Sequence, residues 1–314
     1  MLKDADGFLT FGISYTLFSM KAFSFLLLAT ASLTWVSCQK ELGPVIDFSV
    51  PGSTAVDTTY EAAPEAATPK RVLIEEFTGV TCPNCPAGHR AIKTMIDANP
   101  GRISAIGYQP FNIAQANPAP ETHSDNRTQK ATDLGKSFGG VPYLPCATFN
   151  RVPEEGEFLR ARPYWTTMLD NRLKESAPMN MTLASTYDSS NRELKVTVRV
   201  AYTAEVATKH RLTVALTEDN IIDAQEESLP GGGPIITHPD YEHAHVFRDF
   251  LSSVTGDNVL DSIAVKRPGR VYERRYTLKL DSKWNAANCA VTAFVHNEDN
   301  GQKNILQVVD KTIR

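Results

Sequence analysis

The chain predicts an α/β domain followed by an all-β, immunoglobulin-like sandwich domain, and two observations carry that prediction. Between residues 70 and 177, apolar runs of strand length alternate with stretches of helical period. After Pro178 the hydrophobic period shortens to two. Length agrees, since 314 residues hold two domains of about 100 to 200 residues each. At 42% hydrophobic residues, with 36 acidic against 32 basic side chains, the composition excludes collagen-like, coiled-coil and wholly disordered chains. A net charge of −4 with no dense basic run leaves no electrostatic footprint for nucleic acid.

Residues 1–37 read as an export signal. Lys21 is the only charge between Gly7 and Val36, and Met20, Lys21 and the apolar run from Phe23 have the layout of a signal peptide that starts at Met20. Its end, Trp35-Val36-Ser37-Cys38, resembles a bacterial lipobox, in which Cys38 is acylated and becomes the mature N-terminus; an ordinary cleaved signal is the alternative. No later stretch reaches the roughly 20 apolar residues that span a bilayer, so membrane contact would run through the lipid on Cys38. Residues 38–69, with Pro44, Pro51, Pro64 and Pro69, read as a lipidated tether containing one short strand at 45–50.

The α/β domain is expected over residues 70–177. Its elements are a strand at 71–77, a helix from Cys82 to about Ala98 stopped by Asn99-Pro100-Gly101, and a strand at 102–111. A helix at 122–138, a strand at 143–150 and a closing helix at 158–174 complete it. The sandwich domain is expected over 178–314. Leu194, Val196, Val198 and Val200 alternate with Glu193, Lys195, Thr197 and Arg199, and the pattern returns at Leu212–Leu216 and Tyr276–Leu280. With runs at 290–295 and 305–309 this gives at least six strands. Gly231-Gly232-Gly233 lacks the ending of a phosphate loop and reads as a turn, and no G-x-S-x-G hydrolase motif occurs.

Chemistry concentrates in Cys82-Pro83-Asn84-Cys85. At a strand-to-helix junction the first sulfur faces free helix N–H groups, which favours thiolate, so Cys82 would attack and Cys85, one turn along, would resolve a mixed disulfide. In an oxidising compartment the same spacing suits a static Cys82–Cys85 disulfide. A third reading is metal: His89 follows Cys85 by one helical turn, although a fourth ligand is not evident. His243 and His245, on one face of a strand, form a second weak metal candidate near His238. Cys146 and Cys289 read as core packing, and no cofactor is implied.

The run Val72-Leu73-Ile74-Glu75-Glu76-Phe77, five residues ahead of Cys82, resembles the thioredoxin superfamily over about residues 70 to 175. The resemblance implies that Glu76 is the buried acid that takes a proton from Cys85, and that a cis-proline lies beside the dithiol. Pro145 is favoured over Pro142, because Pro142 would leave Pro145 inside an interior strand. Thr81 departs from the Trp usual before the first Cys.

A narrower resemblance spans roughly Asp57 to Gln307. It rests on the lipobox-like start, on Leu73–Gly79 leading into Cys82–Pro86, on Thr148-Phe149-Asn150-Arg151, on Leu216–Ile221 and on His243–Arg248. These resemble the outer membrane protein 28-related family of Bacteroidota envelope lipoproteins. What this implies is a thioredoxin-like domain, a C-terminal sandwich and an exported, outer-membrane-anchored protein facing the periplasm or the cell surface. Two functions follow: an interaction module binding an envelope protein or surface glycan, or a thiol-disulfide oxidoreductase using Cys82, Cys85, Glu76 and Pro145.

Overall fold

The structure, a computed structural model, describes residues 56–314; the signal over 1–37, Cys38 and the strand expected at 45–50 lie outside the described residues. The first element described departs from the sequence expectation. Within the segment read as tether, β1 (Val56–Glu61) pairs antiparallel with residues 270–275. The β-prone Thr58, Thr59 and Tyr60 explain this locally. Thr59 Oγ1 donates to the Val271 carbonyl at 2.7 Å and the Tyr60 hydroxyl to Glu273 at 2.8 Å, tying the strand to an edge more than 200 residues away.

Next come β2 (Val72–Phe77), α1 (Cys85–Ala98) and β3 (Ile103–Tyr108). All six residues of β2 and of β3 are buried, as in strands covered on both faces. Then follow α2 (Gln129–Ser137), β4 (Cys146–Phe149), β5 (Arg160–Ala161) and α3 (Trp165–Leu173). Helix α2 starts seven residues after the Thr122 expected for it. The His123 and Ser124 backbone N–H groups donate to Asp223, each at 2.8 Å, and Asp125 is held by Arg127, so this stretch is committed outside a helix. Thr128 then caps α2, accepting from Ala131 N at 3.0 Å. The closing helix is shorter than expected as well: Arg160–Ala161 forms β5 against β4, and the Trp165 indole N–H donates to the Arg160 carbonyl at 2.8 Å.

Ten strands complete the chain. They are β6 (Met179–Asp188), β7 (Glu193–Tyr202), β8 (His210–Glu218), β9 (Ile221–Ser228), β10 (Ile235–His243), β11 (Val246–Phe250), β12 (Asp257–Val259), β13 (Arg270–Lys279), β14 (Cys289–Asn297) and β15 (Ile305–Thr312). One sheet has the order β1-β13-β7-β6. A larger one, of nine strands, runs β15-β14-β8-β11-β3-β2-β4-β5, with β12 also on β8. The alternation on β7 has its expected effect: Leu194, Val196, Val198 and Val200 enter a core shared with Val214 and Leu216 of β8 and Val291 and Val295 of β14.

The larger sheet crosses the boundary expected near residue 177. Strand β11 pairs with β8 on one side and, parallel at Val246 and Gly107, with β3 on the other. Gly107 N also donates to the His245 carbonyl at 2.8 Å. One continuous β-sheet therefore carries both the α/β elements and the second apolar layer. Strands β9 and β10 stand apart as a two-stranded hairpin, closed by a turn in which Gly231 and Gly232 take positive φ. Among the described residues no helix is long and apolar enough to cross a membrane.

Candidate functional site

Cys85 is the first residue of α1, with Pro86 in its first turn, and it is joined to Cys82 by a disulfide whose Cα atoms lie 5.4 Å apart. Cys85 N donates to the Cys82 carbonyl at 3.1 Å, so the C-x-x-C segment makes a tight turn into the helix. Neither cysteine has any exposed surface. Both belong to an apolar cluster with Phe77, Ala116, Leu144 and Cys146.

The cover comes from the β9–β10 hairpin. The Gln225 side-chain amide donates to the carbonyls of Gly79, Val80 and Cys82 at 3.1, 3.0 and 3.3 Å. Glu226 N donates to Val80 O, and Ser228 N to Pro83 O, each at 2.9 Å. Glu227 adds an ion pair with Arg90 of α1 at 2.6 Å. The short turn Ala114–Ala116 closes in beside Gly79: a Cβ there would lie 2.2 Å from the Gln115 carbonyl oxygen, so only glycine fits.

Glu76, six residues before Cys82, lies under the first turns of α1. It is 4% exposed, and its Oε1 is buried without a hydrogen-bond partner. Burial pushes its carboxyl well above the usual carboxylate range, and its Oε2 lies 3.7 Å from His89 Nε2. A Cβ on Gly88 would sit 2.6 Å from that Oε1 and 3.2 Å from the Pro145 ring. The Leu144–Pro145 peptide is cis. Glu76, Gly88 and Pro145 are thus brought to one point, with the buried thiol of Cys146 next in sequence and pushed up to about 12 by burial.

The metal readings fail on geometry. Cys85 is bonded to Cys82, and both nitrogens of His89 are occupied, one on Thr78 Oγ1 and one on the Tyr241 hydroxyl, each at 2.8 Å. Burial, with help from His243, Arg90 and His245, pulls the His89 pKa well down, so the imidazole is neutral. His243 and His245 do not share a strand face. His243 ends β10 and contacts the Ala224 carbonyl at 3.2 Å, whereas His245 follows it at φ 56 and meets Asp219. Among the described residues no group of three or more His, Cys, Asp or Glu is arranged to hold a metal ion.

Sequence reasoning missed two features. Gln225 carries no periodic signal, although a glycine run between two β-prone stretches marks the hairpin that bears it. Arg151 forms a fully buried bidentate pair with Glu75, at 2.6 and 2.7 Å, and the Tyr108 hydroxyl donates to the same carboxylate at 3.1 Å. Asn150 and Arg151 both take positive φ immediately after β4, which turns the arginine back beneath β2.

Comparison with known proteins gives a family and a fold. The model of the family described as "Outer membrane protein Omp28" matches residues 134–314, more than half of the chain. No curated protein matches it. Among solved structures, HBP35 of Porphyromonas gingivalis is similar over 79% of this chain and 77% of its own, at 20% identity and a TM-score of 0.60, a likeness of fold. A domain of the outer membrane lipoprotein Omp28 from Porphyromonas gingivalis matches 44% of this chain and 89% of its own, at 19% identity and a TM-score of 0.30.

Proposed function

This chain belongs to the Omp28 family of outer membrane proteins and is an exported protein of the outer membrane; from that premise we propose that it is a lipoprotein whose Cys82–Cys85 bridge is a structural staple inside a module that binds an envelope protein or surface glycan. Acylation of Cys38 and a thioredoxin-like identity for residues 70–177 are parts of the same proposal. The parallel β2–β3 pair, the antiparallel β4 and β5, and the cysteines at the start of α1 support the second.

The observation that carries the staple is the complete burial of both cysteines beneath a hairpin that donates hydrogen bonds to the carbonyls of Gly79, Val80, Cys82 and Pro83, along the turn that enters the C-x-x-C segment and its first half. Thiol-disulfide exchange needs a thiolate to approach one sulfur along the S–S axis, and the hairpin lies across the loop that carries them. The loops between strands of the facing sheets suit partner binding, since they can vary without disturbing the core.

A redox titration of the Cys82/Cys85 couple, followed by thiol alkylation and mass spectrometry, tests the proposal. The expected midpoint lies below about −300 mV. Replacing both cysteines by serine should cost about 2 kcal/mol, the loop-closure value for so short a ring, and leave insulin reduction at background. A midpoint between about −120 and −270 mV would reject the staple.

The second reading, a thiol-disulfide oxidoreductase in which Cys82 attacks and Cys85 resolves, is favoured by one observation. The uncompensated Glu76 carboxyl lies under the helix that Cys85 begins, where it can exchange a proton during resolution. That reading requires the β9–β10 hairpin to leave first. Its signature is a mixed disulfide trapped on Cys82 in the Cys85→Ser variant.

A further inference from the structure

The nine-stranded sheet has a gap in its middle. Strand β11 pairs with β3 at one residue pair only, Val246 and Gly107, and upstream of Val246 the chain turns away into β10 at His245, whose φ is 56. Among the described residues, no strand lies beside Ile103–Ile106 on that side of β3. The hydrogen bonds around Gly107 fix which backbone groups this leaves. Gly107 N donates to the His245 carbonyl, on the β11 side, whereas the Tyr108 carbonyl accepts from Thr78 N, on the β2 side. Backbone N–H and C=O groups alternate between the two edges of a strand. Those of Ala105, two residues before Gly107, therefore point to the β11 side, where no strand meets them.

A cleft of about 410 Å³ lies at this edge, lined by Ala105 and Gly107 of β3, by Ala244 and His245 of the β10–β11 corner, and by Ile92 and Ile96 of α1. Its volume is in the range of ligand sites, roughly 300 to 1,000 Å³. Ala105 packs in one cluster with Ile92 and Ile96, so the side of the edge that faces α1 is apolar. The charged groups of the lining are largely paired with one another or with neighbours: Lys93 with Asp97 and Arg90 with Glu227, each at 2.6 Å, and His245 with Asp219 at 3.2 Å. Glu242, exposed in the same lining, adds one negative charge. What the cleft offers a ligand is a strand edge beside an apolar wall.

We propose that this cleft binds a short extended peptide segment of an envelope protein, which pairs with the Ala105 edge of β3 and lays an apolar side chain against Ile92 and Ile96. An unpaired strand edge is a template for another extended chain, whose backbone supplies a donor and an acceptor at the matching spacing. Residues directly opposite each other in a sheet share a face, so the peptide residue across from Ala105 sends its side chain toward α1. A glycan would set hydroxyl groups against the two isoleucines and leave them without partners. The inference rests on the reading of the chain as a binding module and names a partner class for it. The Cys82–Cys85 bridge takes no part in it.

NMR of the full chain in lipid nanodiscs tests this, with a blocked pentapeptide of alternating threonine and valine as probe and the Ala105 amide and the Ile92 and Ile96 methyls as reporters. Saturable shifts are expected at all three residues, the Ala105 amide proton moving downfield. The same peptide with aspartate in place of both valines should bind at least about tenfold weaker. Ala105→Pro removes the edge donor at a position where that N–H meets no strand, so the variant should fold and bind the valine peptide at least about tenfold weaker. If it fails to fold, Ile96→Trp, which fills the apolar side of the cleft, carries the same test. Four results would each overturn the proposal: no saturable shifts in the wild type, equal binding of the two peptides, unchanged affinity in the variant that folds, or shifts that follow protein concentration without peptide, which would put a second copy on the edge. A failed peptide titration beside a Cys82/Cys85 midpoint below about −300 mV would remove this site and leave the staple standing.

Discussion

Glu75 and Glu76 are neighbours on β2, point to opposite faces of the sheet, and solve the problem of a buried carboxyl in opposite ways. Glu75, with no exposed surface, is fully partnered: Arg151 grips both its oxygens, Tyr108 donates a third hydrogen bond, and the guanidinium lies over the rings of Phe138 and Phe294. Glu76, facing α1, has no such partner: His89 Nε2 lies 3.7 Å from its Oε2, its Oε1 is left without a hydrogen bond, and burial pushes its carboxyl well above the usual carboxylate range. One face of β2 has spent its acid on structure, and the other retains a group with unused bonding capacity. A buried acid without a partner is costly to keep, which marks the α1 face as the one with chemistry to offer.

The largest effect is expected where that contrast is broken on the Glu75 side. Arg151→Ala leaves a fully buried carboxylate uncompensated and should cost about 3 to 5 kcal/mol in urea denaturation. Adding Glu75→Gln to it should recover part of the loss, whereas simple additivity of the two would mean that they do not act as a pair.

Gly88→Ala probes the other face by overpacking. The new methyl would press on Glu76 Oε1 and the Pro145 ring, and a loss of about 1 to 3 kcal/mol is expected. A neutral result would mean that the helix shifts freely over Glu76.

Glu76→Gln should act in the opposite sense to Arg151→Ala and depend on pH. Burial lets the native carboxyl hold its proton to higher pH than the ordinary value of 4.5, above which the unfolded chain releases it. The wild type therefore loses stability as pH rises through 4.5 toward the native pKa, and the glutamine variant should lack that decline. Parallel stability profiles for the two proteins between pH 4 and 8 would refute the assignment.

Two buried histidines sharpen the comparison at acid pH. His296 and His210 are pulled down to about 3 and about 4, chiefly by burial. The unfolded chain takes up protons there below 6.5 and the native state does not, so stability should fall as pH drops from 6.5 toward 4. His296→Gln should flatten part of that fall. The smallest effect belongs to the exposed pair Lys93–Asp97, where Lys93→Ala should change stability by less than about 0.5 kcal/mol.

Much of the α/β half was legible because its signals are local. The apolar run at Val72–Ile74, the prolines flanking Cys85 and the Asn99-Pro100-Gly101 stop delimit β2 and α1 from neighbouring residues alone. Helix α2 was misjudged at its start because Asp223, a century of residues away, takes the backbone N–H groups that would have opened it. Strand β1 was read as tether because its partner strand begins at Arg270. The supposed His243 and His245 pair failed because a single positive φ at His245 ends the alternation that would put both on one face.

The sequence by itself determined that two cysteines, four residues apart counting both, stand where a buried strand hands over to a helix, because spacing, strand propensity and proline stops act within one or two turns. It also determined the half-buried alternation on β7. Only the tertiary structure decided whether those sulfurs meet solvent, which depends on Gln225 reaching carbonyls up to 146 residues earlier in the chain. It decided likewise that Glu75 found an arginine and Glu76 did not. Contacts of that range leave no period in the sequence, because what selects them is the surface left uncovered once the sheet has formed.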